Sequence, residues 1–153
     1  MSLIEQIFWG SLFLGGCLVL ETAMLVWCGG ALRRHEARFA HHPSQVRQLS
    51  VLLISIGFVL AAHTAQIWIW SAALILKTES FESWNTAVYF SIATYTTLGY
   101  GDVVLDEGHR IFAAFGAMTG MLAFGISTAF LVGTMRPVFS GGRRSLREPE
   151  NSE

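Results

Sequence analysis

The sequence predicts an all-α membrane protein with three transmembrane helices, a shorter re-entrant helix and an irregular loop behind it. Three observations carry that expectation. The composition is 52% hydrophobic and 14% charged, with a mean hydropathy of +0.48, a balance that suits a bilayer better than a soluble domain. Three apolar stretches, at 7–32, 50–76 and 109–135, each exceed the roughly 20 residues that cross a bilayer core as a helix. A further apolar run, Trp84 to Tyr95, is too short: at about 1.5 Å per residue it reaches about half the core.

The first unit, 1–32, is read as a retained helix. It lacks a basic leader and an A-x-A site and ends in "GGALRR", which argues against a cleaved signal peptide. Cys17 and Cys28 lie in this run without metal or redox spacing and read as packing residues. The loop 33–49 carries Arg33, Arg34, Arg38 and Arg47. Its His41-His42 pair reads as solvated loop before metal site. The second helix is expected at 50–76, the short helix at 84–96 and the third spanning helix at 109–135. The tail 138–153 is polar, glycine-rich and charged, and is expected to be disordered.

Arginine placement sets the expected orientation. Arg136, Arg143, Arg144 and Arg147 follow the last span, so the 33–49 loop and the C-terminus are expected in the cytoplasm and the N-terminus outside. The expected location is the cell membrane, with the bilayer as solvent. Trp9, Trp68, Trp70 and Trp84 then fall near the outer interface and Trp27 near the inner one.

The stretch "TYTTLGYGD", residues 94–102, comes directly after the body of the short helix. Gly99 and Gly101 flank Tyr100, a poor pattern for helix. Irregular backbone at membrane depth is tolerated only where protein buries it or water lines it. Glycine adopts positive φ without a Cβ penalty. A strand alternating in handedness at Leu98, Gly99, Tyr100 and Gly101 turns successive carbonyls to one side. Such rows, brought together from neighbouring chains, replace the water around a potassium ion. Thr97 adds a hydroxyl at the inner end, and the Leu98 and Tyr100 side chains are expected to pack against the short helix.

"TTLGYGD" resembles the signature of the potassium channel pore family, usually T-V-G-Y-G-D, with Leu98 at the valine position. The resemblance covers about residues 50–137, and "WIWSAALI…AVYFSIATYTTLGYGDVVL" is especially similar to small prokaryotic channels whose pore is like the two-pore-domain group. It implies outer helix 50–76, pore helix 84–96, filter 97–101 and inner helix 109–135 in a C4 homotetramer, each chain giving one quarter of every carbonyl ring. It implies potassium held by Thr97, Leu98, Gly99 and Tyr100, with Gly101 completing the filter and Thr96, Asp102 and Tyr89 supporting it. Potassium is the permeant ion; no cofactor and no nucleic acid partner is expected.

By the same resemblance, Gly120 and Gly125 occupy gating-hinge positions. Close helix packing is the other reading, since Gly116 and Gly120 form a small-x-x-x-small pair. Met121, Ala123, Phe124, Ser127 and Thr128 are candidates for the inner cavity, of which only some can face it. The family sometimes pairs the carboxylate after the filter with a pore-helix glutamate. Here that position is Ala93, so Tyr89 is the candidate donor to Asp102. Asp106, Glu107, Glu79 and Glu82 add negative charge near the outer mouth, which raises local cation concentration.

Glu21 and His63 lie inside the first and second spans, at depths differing by about 5 Å. Buried ionisable groups in membranes are costly and commonly paired. The two are expected to hydrogen-bond between helices, with Gln66 or Thr64 as further partners. A static tie and a proton-sensitive switch both fit.

No span carries a voltage-sensor arginine series, and no phosphate loop, catalytic triad or metal cluster occurs, so no enzymatic activity is expected. The leading expectation is passive, potassium-selective conduction. A weakly selective cation channel, a potassium transporter subunit and a non-conducting subunit are the alternatives. Transporters of the superfamily usually repeat the pore unit and keep a single glycine in the loop, unlike this Gly-Tyr-Gly.

Overall fold

The structure, a computed structural model, describes residues 1–38, 44–78, 80–81 and 83–144, with side chains over 1–34, 45–78, 80–81 and 83–135. Four helices make it up: α1 Leu3–Arg38, α2 Ser44–Lys77, α3 Trp84–Tyr95 and α4 Arg110–Arg144. Among the described residues there is no strand. Leu3–Arg34, Gln45–Lys77 and Arg110–Met135 are each long and apolar enough to cross a membrane; the 12 residues of α3 are not. The chain is thus built as an all-α, multi-pass membrane protein.

The helices start where local chemistry satisfies their free N–H groups. Ser2 Oγ accepts from Glu5 N at 3.3 Å, and Glu5 Oε2 accepts from Ser2 N at 2.7 Å. This reciprocal capping box begins α1 at Leu3, four residues ahead of the apolar run at Ile7. Ser83, in extended backbone, caps α3 by accepting from Thr86 N at 3.3 Å. The start of α4 takes its cap from another helix: Gln6 Oε1 accepts from Ile111 N at 3.1 Å and Phe112 N at 3.3 Å. Gln6 is only 4% exposed, so water cannot easily replace it.

We expect Gln6→Leu to lower stability by about 1–2 kcal/mol, the usual cost of a lost cap, while Gln6→Glu keeps an acceptor and most of the stability. Thermal unfolding of the detergent-solubilised protein reads both. Equal melting of Gln6→Leu and wild type would rule out this cap as a stabilising contact.

That cap also fixes relative direction. α1 and α4 begin at the same end of the bundle and run parallel, and α2 returns between their ends. α1 packs on α2 and α4, while α3 packs on α2 and α4. The main core holds Trp70, Phe112, Leu74, Tyr95 and Ala123, with Phe13 against it. Phe13 and Phe112 lie 5.9 and 5.4 Å, centroid to centroid, from Trp70. A second cluster at the far end joins Cys28 and Leu32 of α1 to Val51 of α2 and Phe130 of α4. Both cysteines are buried and free. Lipid tails are as apolar as leucine, so between such helices close fit and polar contacts decide more than burial does.

Several expectations need correction. Trp70, expected near the outer interface, is 1% exposed and faces the core of the bundle. Its volume fills the junction of α1, α2 and α4, and its indole N–H has no partner among the described residues. Trp68, Trp84 and Trp27 are exposed. Trp9 lies beneath the Lys77 ammonium, 3.6 Å from its ring centroid. The helices also overrun the expected loop 33–49 from both sides, and α4 continues through 138–144 of the expected tail. Glu79, Glu82, His41, His42 and residues 145–153 lie outside the described residues.

Candidate functional site

The short helix α3 ends at Tyr95, and the chain beyond it is neither helix nor ordinary strand. Thr96 closes the helix at φ −82°, ψ 2°, its N–H bonded to Ile92 O at 3.0 Å, and its Oγ1 donates to the same carbonyl at 2.7 Å. Thr97 N then bonds Thr94 O at 2.9 Å, and Gly99 N bonds Ala93 O at 3.0 Å. These bonds fold the chain back over the end of α3.

The backbone then alternates. Thr97, Gly99 and Gly101 have φ of 58°, 53° and 80°, while Leu98 and Tyr100 between them are not left-handed. The glycines take this at no steric cost. Thr97 does not: a β-branched residue in the left-handed region is an outlier, costing roughly 1–3 kcal/mol. Only glycine was expected to be left-handed here, because the Thr97 side chain gives no hint of it. The alternation thus starts one residue pair earlier than the glycines mark.

Leu98 and Tyr100 do not pack against α3. They are 60% and 74% exposed, and Thr96 to Asp102 are all exposed. The backbone leaves α3 on a side that this chain's own helices do not cover. Tyr89, on α3, reaches the loop: its hydroxyl donates to Asp102 Oδ2 at 2.7 Å. Ala93 contributes its carbonyl rather than a side-chain acid.

Past the loop, Asp106 accepts from Ser80 Oγ at 3.0 Å and Gly108 N at 3.1 Å, and its Oδ1 lies 2.8 Å from His109 Nδ1. The His109 contact, then Ser80, holds the Asp106 carboxyl below the usual carboxylate range. A lowered folded value means this tie supports the fold above that range and is lost as pH falls through it. Glu107 lies 3.9 Å from Arg110.

On α4, a Cβ at Gly120 would collide with the Tyr95 carbonyl oxygen and stand 2.8 Å from its carbon. Gly120 therefore permits a backbone-to-backbone approach of α4 to the end of α3. Gly125 meets nothing within 4 Å. Of the cavity candidates, Met121, Phe124 and Thr128 are exposed, whereas Ala123 and Ser127 are buried among the helices.

Glu21 and His63 lie in one buried polar cluster with no direct bond between them. Gln66 Nε2 donates to Glu21 Oε2 at 2.7 Å, and Ser127 Oγ donates to Glu21 Oε1. Ser127 Oγ also lies 3.3 Å from His63 Nε2. His63 Nδ1 is 2.8 Å from the Tyr95 hydroxyl, which donates to Gln66 Oε1 at 3.0 Å. Gln66 lies three positions after His63 and shares its helix face; Thr64, the next residue along, points elsewhere and is exposed. The sequence pointed to neither Tyr95 nor Ser127 as a partner here; Ser127 was one of five candidates for the inner cavity. A polar residue buried at the end of α3 was the available signal.

Residues 63–136 match the family model described as ion channel. Over 71 residues the chain is 38% identical to the voltage-gated potassium channel Kch of Escherichia coli (strain K12). That stretch covers 46% of this chain and 16% of the relative. No solved structure matches the chain.

Proposed function

We propose that the chain is a subunit of a potassium-selective channel in the cell membrane, with residues 97–101 as its filter. The observation that carries this is the alternation of left-handed backbone at Thr97, Gly99 and Gly101, at the end of a helix too short to cross a membrane. Alternating handedness aims successive carbonyls one way, and carbonyl rows strip and replace ion hydration. The match to the ion channel family over this region supports the reading.

One chain supplies one row, so the filter needs copies around an axis, and four is the number the carbonyl geometry of such filters uses. The exposure of Leu98, Tyr100 and Met121 is consistent with faces that other copies cover. In this reading α3 is the pore helix, α2 the outer helix and α4 the inner helix. Thr97, Leu98, Gly99 and Tyr100 hold potassium, Thr96, Asp102 and Tyr89 support the filter, and the arginine-rich ends face the cytoplasm. Gly125, which has room around it within the chain, is the better placed hinge of the two glycines.

Flux from liposomes containing the purified protein tests the function. Potassium efflux well above sodium efflux is expected. Equal fluxes would replace this reading with the weakly selective cation channel.

Among the described residues, the Tyr89–Asp102 bond is the side-chain tie between α3 and the outer end of the filter. Without this bond the outer end of the loop loses its tie to α3, so Tyr89→Phe is expected to shorten sustained conduction. Macroscopic current decay at constant potassium reads it. Decay at the wild-type rate would show that the bond does not hold the filter open.

A further inference from the structure

The buried cluster behind the loop closes a ring. Glu21 of α1, Gln66 and His63 of α2, Tyr95 of α3 and Ser127 of α4 make five side-chain links, and each member takes part in two of them. Glu21 and Gln66 are 0% exposed, Tyr95 1%, Ser127 2% and His63 7%. Water is therefore a poor substitute for a missing link, and each unmade one leaves a buried polar group alone.

Each link needs one hydrogen. The Gln66 amide, the Tyr95 hydroxyl and the Ser127 hydroxyl supply one apiece to the ring, and a neutral imidazole supplies one more. That makes four hydrogens for five links. The remaining hydrogen has to be an extra proton on Glu21 or on His63.

Two arrangements satisfy the geometry. With Ser127 donating to Glu21 and Tyr95 donating to Gln66, both of their oxygens accept from the imidazole, so His63 carries a proton on each nitrogen beside a Glu21 carboxylate. With the proton on Glu21, the carboxyl donates to Ser127 and Ser127 donates to His63 Nε2. These forms hold the same number of protons and interconvert by a shift through the Ser127 hydroxyl.

Tyr95 is the last residue of α3, and Thr97 is the first left-handed residue after it. We propose that Glu21 and His63 share one proton that closes this ring into a clamp on Tyr95, and that the clamp positions the inner end of the filter. This rests on reading 97–101 as a filter. It gives α1 a task at a loop that it does not touch: Glu21 acts through Gln66, Ser127 and Tyr95, as a positioning residue.

The proton count sets the sign with pH. The closed ring binds one proton more than the open one, so acid conditions favour it and rising pH opens it. Once the proton leaves, one link becomes two acceptors facing each other. The titratable groups facing the ring are Glu21 and Cys17 on α1, His63 on α2 and Tyr95 on α3; the α4 member, Ser127, does not titrate. His63, 7% exposed, is the most exposed member of the ring and so the one nearest to water.

The test is the potassium-to-sodium permeability ratio of the full chain in liposomes from about pH 6 to about pH 9. Wild type is expected to hold its ratio at the acid end and lose about tenfold toward the alkaline end, the equivalent of one buried hydrogen bond. In Glu21→Gln the amide donates to Ser127 and accepts from Gln66, which completes the ring without an extra proton. That variant is expected to keep the acid-end ratio throughout. Tyr95→Phe removes two links and is expected to show a low ratio at every pH, with melting recorded as a folding control. Thr64→Val, outside the ring, should track wild type. A wild-type ratio that is high and flat, or a Glu21→Gln profile that falls like wild type, overturns the clamp. If Tyr95→Phe does not fold, Glu21→Gln alone decides. A wild type without potassium preference at any pH instead overturns the filter reading, and the clamp with it.

Discussion

Gly99→Ala is expected to abolish selective potassium flux while leaving the helices intact. Gly99 sits at φ 53°, and an added Cβ in the left-handed region costs roughly 1–2 kcal/mol in each chain. Space is not the obstacle, since nothing lies within 4 Å of that Cβ in the chain; the backbone angle is. In the proposed fourfold ring the strain would be repeated in every subunit, roughly 4–8 kcal/mol for the assembly. The easiest relief is to flip the peptide out of the left-handed state, which turns a carbonyl away from the axis and breaks its ring. The spanning helices carry none of this strain, so melting and assembly should change little. Gly57→Ala, in the α2 helix with open space around it, is the comparison that should conduct normally. Potassium and sodium flux from liposomes reads both variants. Normal selective flux through Gly99→Ala would show that residues 97–101 are not the filter.

The strain at Thr97 makes the same point from the other side. A threonine held at φ 58° persists only if its surroundings over-determine it. The bonds from Thr97 N to Thr94 O and from Gly99 N to Ala93 O are what hold it within the chain. The site is thus built by the end of α3 more than by the glycines, and Tyr95 at that end is where α2, α3 and α4 meet.

How much was legible in the sequence depends on the physics of each feature. Continuous apolar length is a strong signal, so the three spanning helices and the half-length α3 were readable. Their ends were not, because polar residues extend helices beyond the bilayer core: Ser2 and Glu5 start α1 early through a cap, and α4 runs on to Arg144. Left-handed backbone was readable at Gly99 and Gly101, whose residue type advertises it, and unreadable at Thr97. Leu98 and Tyr100 were readable as side chains turned away from the carbonyl row, but period and hydropathy do not say which chain covers them, and within one chain they are 60% and 74% exposed. The Glu21–His63 association was readable as two costly groups at similar depth. Its closure was not, because Ser127 and Tyr95 come from helices whose rotation the sequence does not fix.

Gly120→Ala is expected to damage both stability and conduction, and it separates two roles that the sequence left open. Its Cβ would strike the Tyr95 carbonyl and come within 3.1 Å of the Tyr95 ring. Backbone cannot rotate aside as a side-chain tip can, so α4 must move off α3 or the end of α3 must bend. Overpacking of this kind typically costs about 1–3 kcal/mol, against which the helix propensity gained from glycine to alanine returns only about 1 kcal/mol. The displaced group is Tyr95, whose hydroxyl bonds Gln66 and His63 and whose chain continues into Thr96 and Thr97. The disturbance therefore arrives where the proposed filter begins. Gly125→Ala sharpens the contrast, since it meets nothing within the chain and should keep or raise the melting temperature through propensity alone. If Gly120 serves only as a bending point, both variants should stiffen α4 alike and neither should melt earlier than wild type. If it serves close approach, Gly120→Ala alone should melt earlier and lose potassium flux by at least about tenfold, the rate equivalent of a shift of about 1.4 kcal/mol. Melting in detergent together with liposome flux distinguishes the two, and a Gly120→Ala protein matching wild type in both would mean that α4 is not packed on Tyr95 as the structure has it.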